Sequence, residues 1–108
     1  MMSRFTFTIV EGPESGRTLD LKVGKTYLGR LSISDDDKHQ IYCWALRDGA
    51  VSRTHAEISM AEQGMPVLRH ISDTNHTFVN GRRILRETLQ PGHVIQIGQT
   101  SIRMEGNP

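Results

Sequence analysis

Thr77-Phe78-Val79-Asn80-Gly81-Arg82-Arg83-Ile84 is the stretch that decides the fold class. Asn-Gly between two short β-prone runs is a strong hairpin signal. A type I′ turn needs positive φ at both central residues, and this pair supplies it at little strain. Working outward, the same punctuation recurs. Phe5 to Val10 is β-branched or aromatic almost throughout and ends at Glu11-Gly12-Pro13-Glu14-Ser15-Gly16, a turn by composition. Thr18 to Leu21 alternates, and Val23-Gly24-Lys25 turns into Thr26-Tyr27-Leu28-Gly29-Arg30. Further strands are expected over Ile41 to Leu46, Thr54 to Met60, Pro66 to Ile71, Val94 to Ile97 and Thr100 to Met104, with Pro91-Gly92 marking a turn. No window beyond about ten residues carries a capped helical period. The pattern predicts an all-β sandwich of about ten strands with no obligatory helix.

The totals bound what such a domain does. At 108 residues the chain is one domain, 1–108, and long enough to bury a core without disulfides or metal. Thirteen basic against twelve acidic residues leave a net charge of +1, which argues against a general nucleic-acid binder. Only six aromatics are present, and Phe5, Phe7, Tyr42 and Trp44 fall in core-like strands rather than on a stacking platform. Cys43 is the only cysteine, so an internal disulfide is impossible and a reducing compartment fits best. Its place in Ile41 to Leu46 reads as a small strand hydrophobe, not a nucleophile. Met1 to Thr6 lacks the apolar run of a signal peptide, and no stretch is long and apolar enough for a membrane-spanning helix. The expected location is cytoplasmic, with no membrane partner. His39, His55, His70, His76 and His93 show no tight ligand spacing and no cysteine partners, so neither a metal, a cofactor nor an enzyme is expected.

Any anion site must then be local. Three loops combine anion donors with tight-turn residues: Gly29-Arg30, Val51-Ser52-Arg53-Thr54-His55-Ala56, and Thr74-Asn75-His76-Thr77 leading into Asn80-Gly81. Arginine offers a planar fork that matches phosphate oxygens, and a serine hydroxyl donates one further bond. Asparagine carries an acceptor and two donors, enough to hold a peptide backbone from the side. Singly, each fragment is weak.

Together and in this order they resemble the forkhead-associated (FHA) domain family over nearly the whole chain. Tyr27-Leu28-Gly29-Arg30 is similar to the family's opening, and Val51 to Ala56 to its signature loop. Leu68 to Gly81 matches, without a gap, the stretch that ends in Asn-Gly-Thr-Phe-Val-Asn-Gly, and Leu89 to Gly98 resembles the closing hairpin. The resemblance implies an FHA-type β-sandwich of about ten to eleven mostly antiparallel strands that binds phosphothreonine in partner proteins and catalyses nothing. It implies that Arg30 and Ser52 hold phosphate and that Arg53 touches phosphate or peptide backbone. Asn75 would bond the peptide main chain, with Thr74 bordering the same groove. His55 would brace the signature loop, while Gly29, Asn80 and Gly81 meet backbone requirements, positive φ or close approach. Such modules are commonly appended to others, so the chain is open to being one part of a larger protein.

Three positions depart from the family pattern. His70 stands where aspartate is frequent, Asp73 where serine is usual, and His76 where glycine is usual. Asp73 is expected to cap its turn through the carboxylate while adding negative charge beside the anion site. His76 is expected in a left-handed conformation, where histidine is enriched among non-glycine residues. Leu31 to Gln40 is longer than the family's usual loop. It reads first as a surface insertion, and second as a selectivity element through Asp35, Asp36, Asp37 and Lys38. The rival to phosphopeptide binding is a phosphate-independent assembly scaffold, against which the retained Arg30, Ser52 and Asn75 weigh.

Overall fold

The computed structural model describes residues 4–107, so the reading of Met1 to Ser3 lies outside the described residues. Eleven strands and no helix are formed there: β1 (Phe5–Glu11), β2 (Thr18–Asp20), β3 (Gly24–Gly29), β4 (Ile41–Ala45), β5 (Ala56–Met60), β6 (Val67–His70), β7 (Thr77–Val79), β8 (Arg82–Arg83), β9 (Arg86–Thr88), β10 (Val94–Ile97) and β11 (Thr100–Gly106). They make two sheets. One has six strands in the order β2-β1-β11-β10-β7-β8, and the other has five in the order β4-β3-β5-β6-β9.

Side-chain alternation explains the layering. Phe5, Phe7 and Ile9 of β1 point inward while Thr6 and Thr8 point outward, the two-residue period of a half-buried strand. Ile95 and Ile97 of β10 and Ile102 and Met104 of β11 complete that inner face. Opposite them lie Leu28, Trp44, Ile58 and Leu68 of the second sheet, and all join one continuous core. Each such side chain contributes roughly 1.5–3 kcal/mol on burial. Leu46, Val51 and Leu89, in the connections, enter the same core and fix the loops that carry them.

β1 and β11 pair antiparallel from Phe5↔Gly106 to Glu11↔Ser101, with a bulge between Ile9 and Glu11. Asn80 and Gly81 form the tight turn between β7 and β8 with φ of 50° and 80°, the positive pair that the sequence calls for. Two features were not legible. β3 and β4 run parallel, from Lys25↔Ile41 to Gly29↔Ala45, so residues 30–40 must carry the chain back over the sheet before β4 begins. That excursion is closed by reciprocal backbone bonds of 2.8 and 3.0 Å between Asp36 and Ile41. β9 is a polar edge strand whose Arg86-Glu87-Thr88 carries little β-propensity, and only its pairing with β6 defines it.

Candidate functional site

The loops β3–β4, β4–β5 and β6–β7 meet at one end of the sandwich around a cleft of about 420 Å³. Its walls include Arg30, Ser52, Arg53, Thr74 and Asn75, so all five residues singled out for ligand contact share one cavity. Gly29 makes this possible through close approach. A Cβ there would collide with the carbonyl oxygen of Arg53, so any other residue would push the β4–β5 loop away. With that approach allowed, the Arg30 and Leu31 amides donate to the Ser52 and Arg53 carbonyls, both at 3.1 Å. The Arg30 Nε–H donates to the Val51 carbonyl at 2.6 Å, which aims the guanidinium. Among the described residues its two terminal nitrogens have no partner, and no carboxylate neutralises it. Arg53 likewise makes no ion pair among the described residues.

His55 ties the loops together. It is fully buried, and both ring nitrogens are used. Nδ1 accepts from the Ser52 amide at 3.1 Å, so Nε2 carries the proton and donates to the His76 carbonyl at 2.9 Å. Its own amide donates to the Leu28 carbonyl, and its carbonyl accepts from Ile71 and Ser72. Burial, aided by neighbouring His70, holds the imidazole below its ordinary value against the opposing pull of the His76 carbonyl and Asp48. The ring is therefore a neutral brace, with no nitrogen left for a metal or for acid–base work.

Asp48 had no signal in the sequence. Its carboxylate is buried and accepts from the Ala50 amide at 2.9 Å, the Gln99 amide at 2.8 Å and the Thr100 hydroxyl at 2.7 Å. Burial alone would raise its pKa, but those three bonds, with His55 nearby, bring it below the ordinary carboxylate value. It pins the β4–β5 loop to the β10–β11 hairpin.

The β6–β7 loop is organised by Ser72. Its Oγ accepts from the amides of Thr74 at 3.2 Å and Asn75 at 3.0 Å, which corrects the expected capping role of Asp73. Asp73 lines the cleft and makes no side-chain hydrogen bond among the described residues. His76 does not take positive φ; among the described non-glycine residues only Gln40 and Asn80 do. With its carbonyl turned to His55, its ring stands edge-on to Phe78, centroids 6.3 Å apart. His70 donates to or accepts from the buried Thr77 hydroxyl at 2.7 Å, a local brace in the position where the family often has aspartate.

Counting lone pairs fixes the direction of the remaining bonds. With both lone pairs of Ser72 Oγ taken by amides, its proton goes to Ser52 Oγ, 2.5 Å away. Ser52 Oγ also accepts from Asn75 Nδ2 at 2.9 Å, which fills its own acceptor capacity. The Ser52 proton is thus left pointing to the cleft, with only Thr74 Oγ1 at 3.5 Å as a weak alternative. Asn75 Nδ2 reaches Thr74 Oγ1 at 3.3 Å as well, and the side-chain oxygen of Asn75 has no donor among the described residues. The cleft is therefore lined by two arginines without an ion pair among the described residues, one hydroxyl donor and one amide acceptor.

Comparison with known proteins bears on this arrangement. A family model described as FHA domain matches residues 25–98. The chain is similar to the FhaA FHA domain, solved in complex with the intracellular domain of Rv3910, at 31% identity and a TM-score of 0.75, covering 94% of this chain and 99% of that one. A second FHA structure, from work on phosphothreonine-dependent FHA domain interactions, shows 31% identity and a TM-score of 0.76 over 96% of this chain and 97% of the other. The FHA domain of CT664 from Chlamydia trachomatis, 24% identical with a TM-score of 0.79, covers 98% of this chain and 100% of its own, a likeness of fold. No curated protein sequence shows a significant match.

Proposed function

The chain belongs to the forkhead-associated family, and we propose that it binds phosphothreonine in a partner protein as a signalling or assembly adaptor. One observation carries this reading: the unspent donors of Arg30 and the unspent proton of Ser52 converge on the same cleft. A phosphothreonine brings about −1.5 to −2 charges and three strong acceptor oxygens at neutral pH. It is the complement of those donors. Arg53 adds a second cation, directed at phosphate or at peptide backbone. Asn75 takes the main chain beside the phosphothreonine, through the carbonyl oxygen that the loop leaves free and an amide proton that can be redirected. Thr74 borders the groove. Gly29, His55, Asn80 and Gly81 act on the loops and not on the ligand. No catalytic step, cofactor, nucleic acid or membrane enters this reading, and the working location is the cytoplasm. The relative described for phosphothreonine-dependent interactions supports it at 31% identity.

The test is calorimetry with a phosphothreonine peptide and its unphosphorylated twin. Only the phosphorylated form is expected to bind. Arg30→Ala removes one or two charge-assisted bonds, each worth roughly 1.5–3 kcal/mol, and is expected to weaken binding by roughly 10- to 150-fold. Equal binding of both peptides, or a folded Arg30→Ala protein with unchanged affinity, would favour a phosphate-independent scaffold.

A further inference from the structure

We propose that the corner joining β8 to β9 is a docking surface separate from the cleft, which takes an acidic, unphosphorylated stretch of a partner protein carrying one apolar side chain. β8 is the last strand of one sheet and β9 the last of the other, and Ile84 and Leu85 cross between them. The corner is held firmly: the Ile84 amide donates to the Thr77 carbonyl at 2.9 Å, and the Leu85 carbonyl accepts from the His70 amide at 2.8 Å. Leu85 is 70% exposed, the most of any large hydrophobic residue among those described. Arg82, Arg83 and Arg86 stand exposed on either side of it, and none makes an ion pair or a side-chain hydrogen bond among the described residues. None of these four residues lines the phosphate cleft.

Charge selects the occupant. The chain has thirteen basic and twelve acidic residues, so without these three arginines the balance is ten against twelve. The positive excess is thus concentrated in one corner. Arg86 stands directly opposite Arg69, and Arg69 already engages both oxygens of the Glu57 carboxylate, at 3.3 and 3.0 Å. Like charges opposed across a ladder are unfavourable, and an incoming carboxylate relieves them. Glu87, the one acid within 82–88, pairs with buried Leu68 and so lies on the core side of β9, the face opposite Arg86. Arginines also guard edge strands against unwanted pairing, but a guard has no need of an exposed leucine at its centre. An apolar centre with an arginine rim is the anatomy of a protein interface. A lipid surface calls for clusters of roughly 4–8 basic residues, and a nucleic acid for stacking aromatics, which 82–88 lacks. A second copy of the chain would offer Asp35-Asp36-Asp37, whose carboxylates are already turned to the Cys43 amide, to His39 and to Lys22.

The experiment titrates a threonine-free peptide of glutamates around one leucine, at about 50 mM salt, into the wild-type chain, Leu85→Ser, the double variant Arg82→Ala/Arg83→Ala, and Arg30→Ala. Two control peptides replace the leucine by serine or the glutamates by glutamine. Wild type and Arg30→Ala are expected to bind the acidic peptide alike. Each control peptide, and each corner variant, is expected to bind about tenfold or more weaker. Binding of a phosphothreonine peptide is expected to be the same in wild type and in both corner variants. Melting curves confirm folding, and either folded corner variant is sufficient. No binding of the acidic peptide to folded wild type overturns the inference. So does binding that is lost in Arg30→Ala and kept in the corner variants, which places the acidic peptide in the phosphate cleft. A serine control that binds as well as the leucine peptide also overturns it. The same variants are tested against phosphatidylglycerol vesicles and a single-stranded oligonucleotide. If either binds wild type more tightly than the acidic peptide does and is lost in the corner variants, the corner belongs to that ligand and the inference falls. None of these outcomes depends on phosphothreonine binding, so the two readings stand or fall separately.

Discussion

His55→Ala is the perturbation whose outcome the structure fixes most closely. The ring is 0% exposed and holds the Ser52 amide at 3.1 Å and the His76 carbonyl at 2.9 Å. Each hydrogen bond contributes about 1 kcal/mol net. The void left by the ring adds about another 1–2 kcal/mol. A loss of about 3 kcal/mol follows, and at roughly 4–8 °C per kcal/mol the melting temperature falls by roughly 12–24 °C. Affinity per folded molecule should fall less, since no ring atom faces the cleft. The same bonds set a pH dependence. The neutral ring satisfies both neighbours, and protonating Nδ1 removes the acceptor for the Ser52 amide. Its folded pKa lies below the ordinary 6.5. The unfolded chain therefore takes up the proton first. This part of the stability is fully present above about pH 6.5 and is lost as pH falls from there through the folded value, by at most about 1.4 kcal/mol per pH unit. Urea titrations of wild type and variant at pH 8 and pH 5.5 read both effects. A variant within about 0.5 kcal/mol of wild type, or a wild-type stability that is flat across that window, would refute the reasoning. So would an unchanged melting curve with abolished binding, which would place the ring against the ligand.

Asn75→Ala is expected to leave the melting curve nearly unchanged and to weaken phosphopeptide binding by about 1–2 kcal/mol, similarly for peptides of different sequence; an unfolded variant with normal binding per folded molecule would make Asn75 structural. Asp48→Ala orphans the Gln99 amide and the buried Thr100 hydroxyl and should cost about 2–4 kcal/mol in urea titrations. A neutral outcome there would mean that the β4–β5 loop does not depend on its tie to the β10–β11 hairpin. Phosphothreonine should bind at least about tenfold tighter than phosphoserine in matched peptides, because the extra methyl meets apolar wall supplied by Val51 and Ile71. Equal affinities would make the domain a general phosphopeptide binder.

What could be read from sequence was whatever is encoded locally. Asn80-Gly81 declares its turn because positive φ restricts the residue types at those two positions. Phe5, Phe7 and Ile9 declare an inward face because strand period and burial coincide. The candidate ligand residues came from the order of motifs, not from any property of Arg30 or Ser52 alone. Asp48 was invisible because its partners, Gln99 and Thr100, lie half the chain away and nothing near Asp48 announces them. The exchange of roles between Asp73 and Ser72 escaped for a different reason: aligning residue types cannot tell which of two adjacent side chains turns inward. His76 was assigned the strained conformation of the glycine it replaces, yet the chain relaxes by directing that carbonyl to His55. The parallel pairing of β3 with β4 is decided by the path of residues 30–40, which carries no local mark.

The pairing of β1 with β11 has a mechanical consequence. Phe5 stands opposite Gly106, whereas the other end of this ladder, Glu11↔Ser101, adjoins the end of the sandwich where β10 and β7 meet at Ile97↔Thr77, beside the cleft. The Asn107 amide closes on the Arg4 carbonyl at 2.7 Å. The described ends, Arg4 and Asn107, thus lie side by side, at the pole away from the site. Tension applied through them acts across the ladder, so its bonds open one after another, starting at Phe5 and Gly106, instead of bearing load together in shear. The sandwich is therefore soft to pulling between its ends. A force transmitted from a bound partner through the cleft instead meets loops locked by His55 and Asp48.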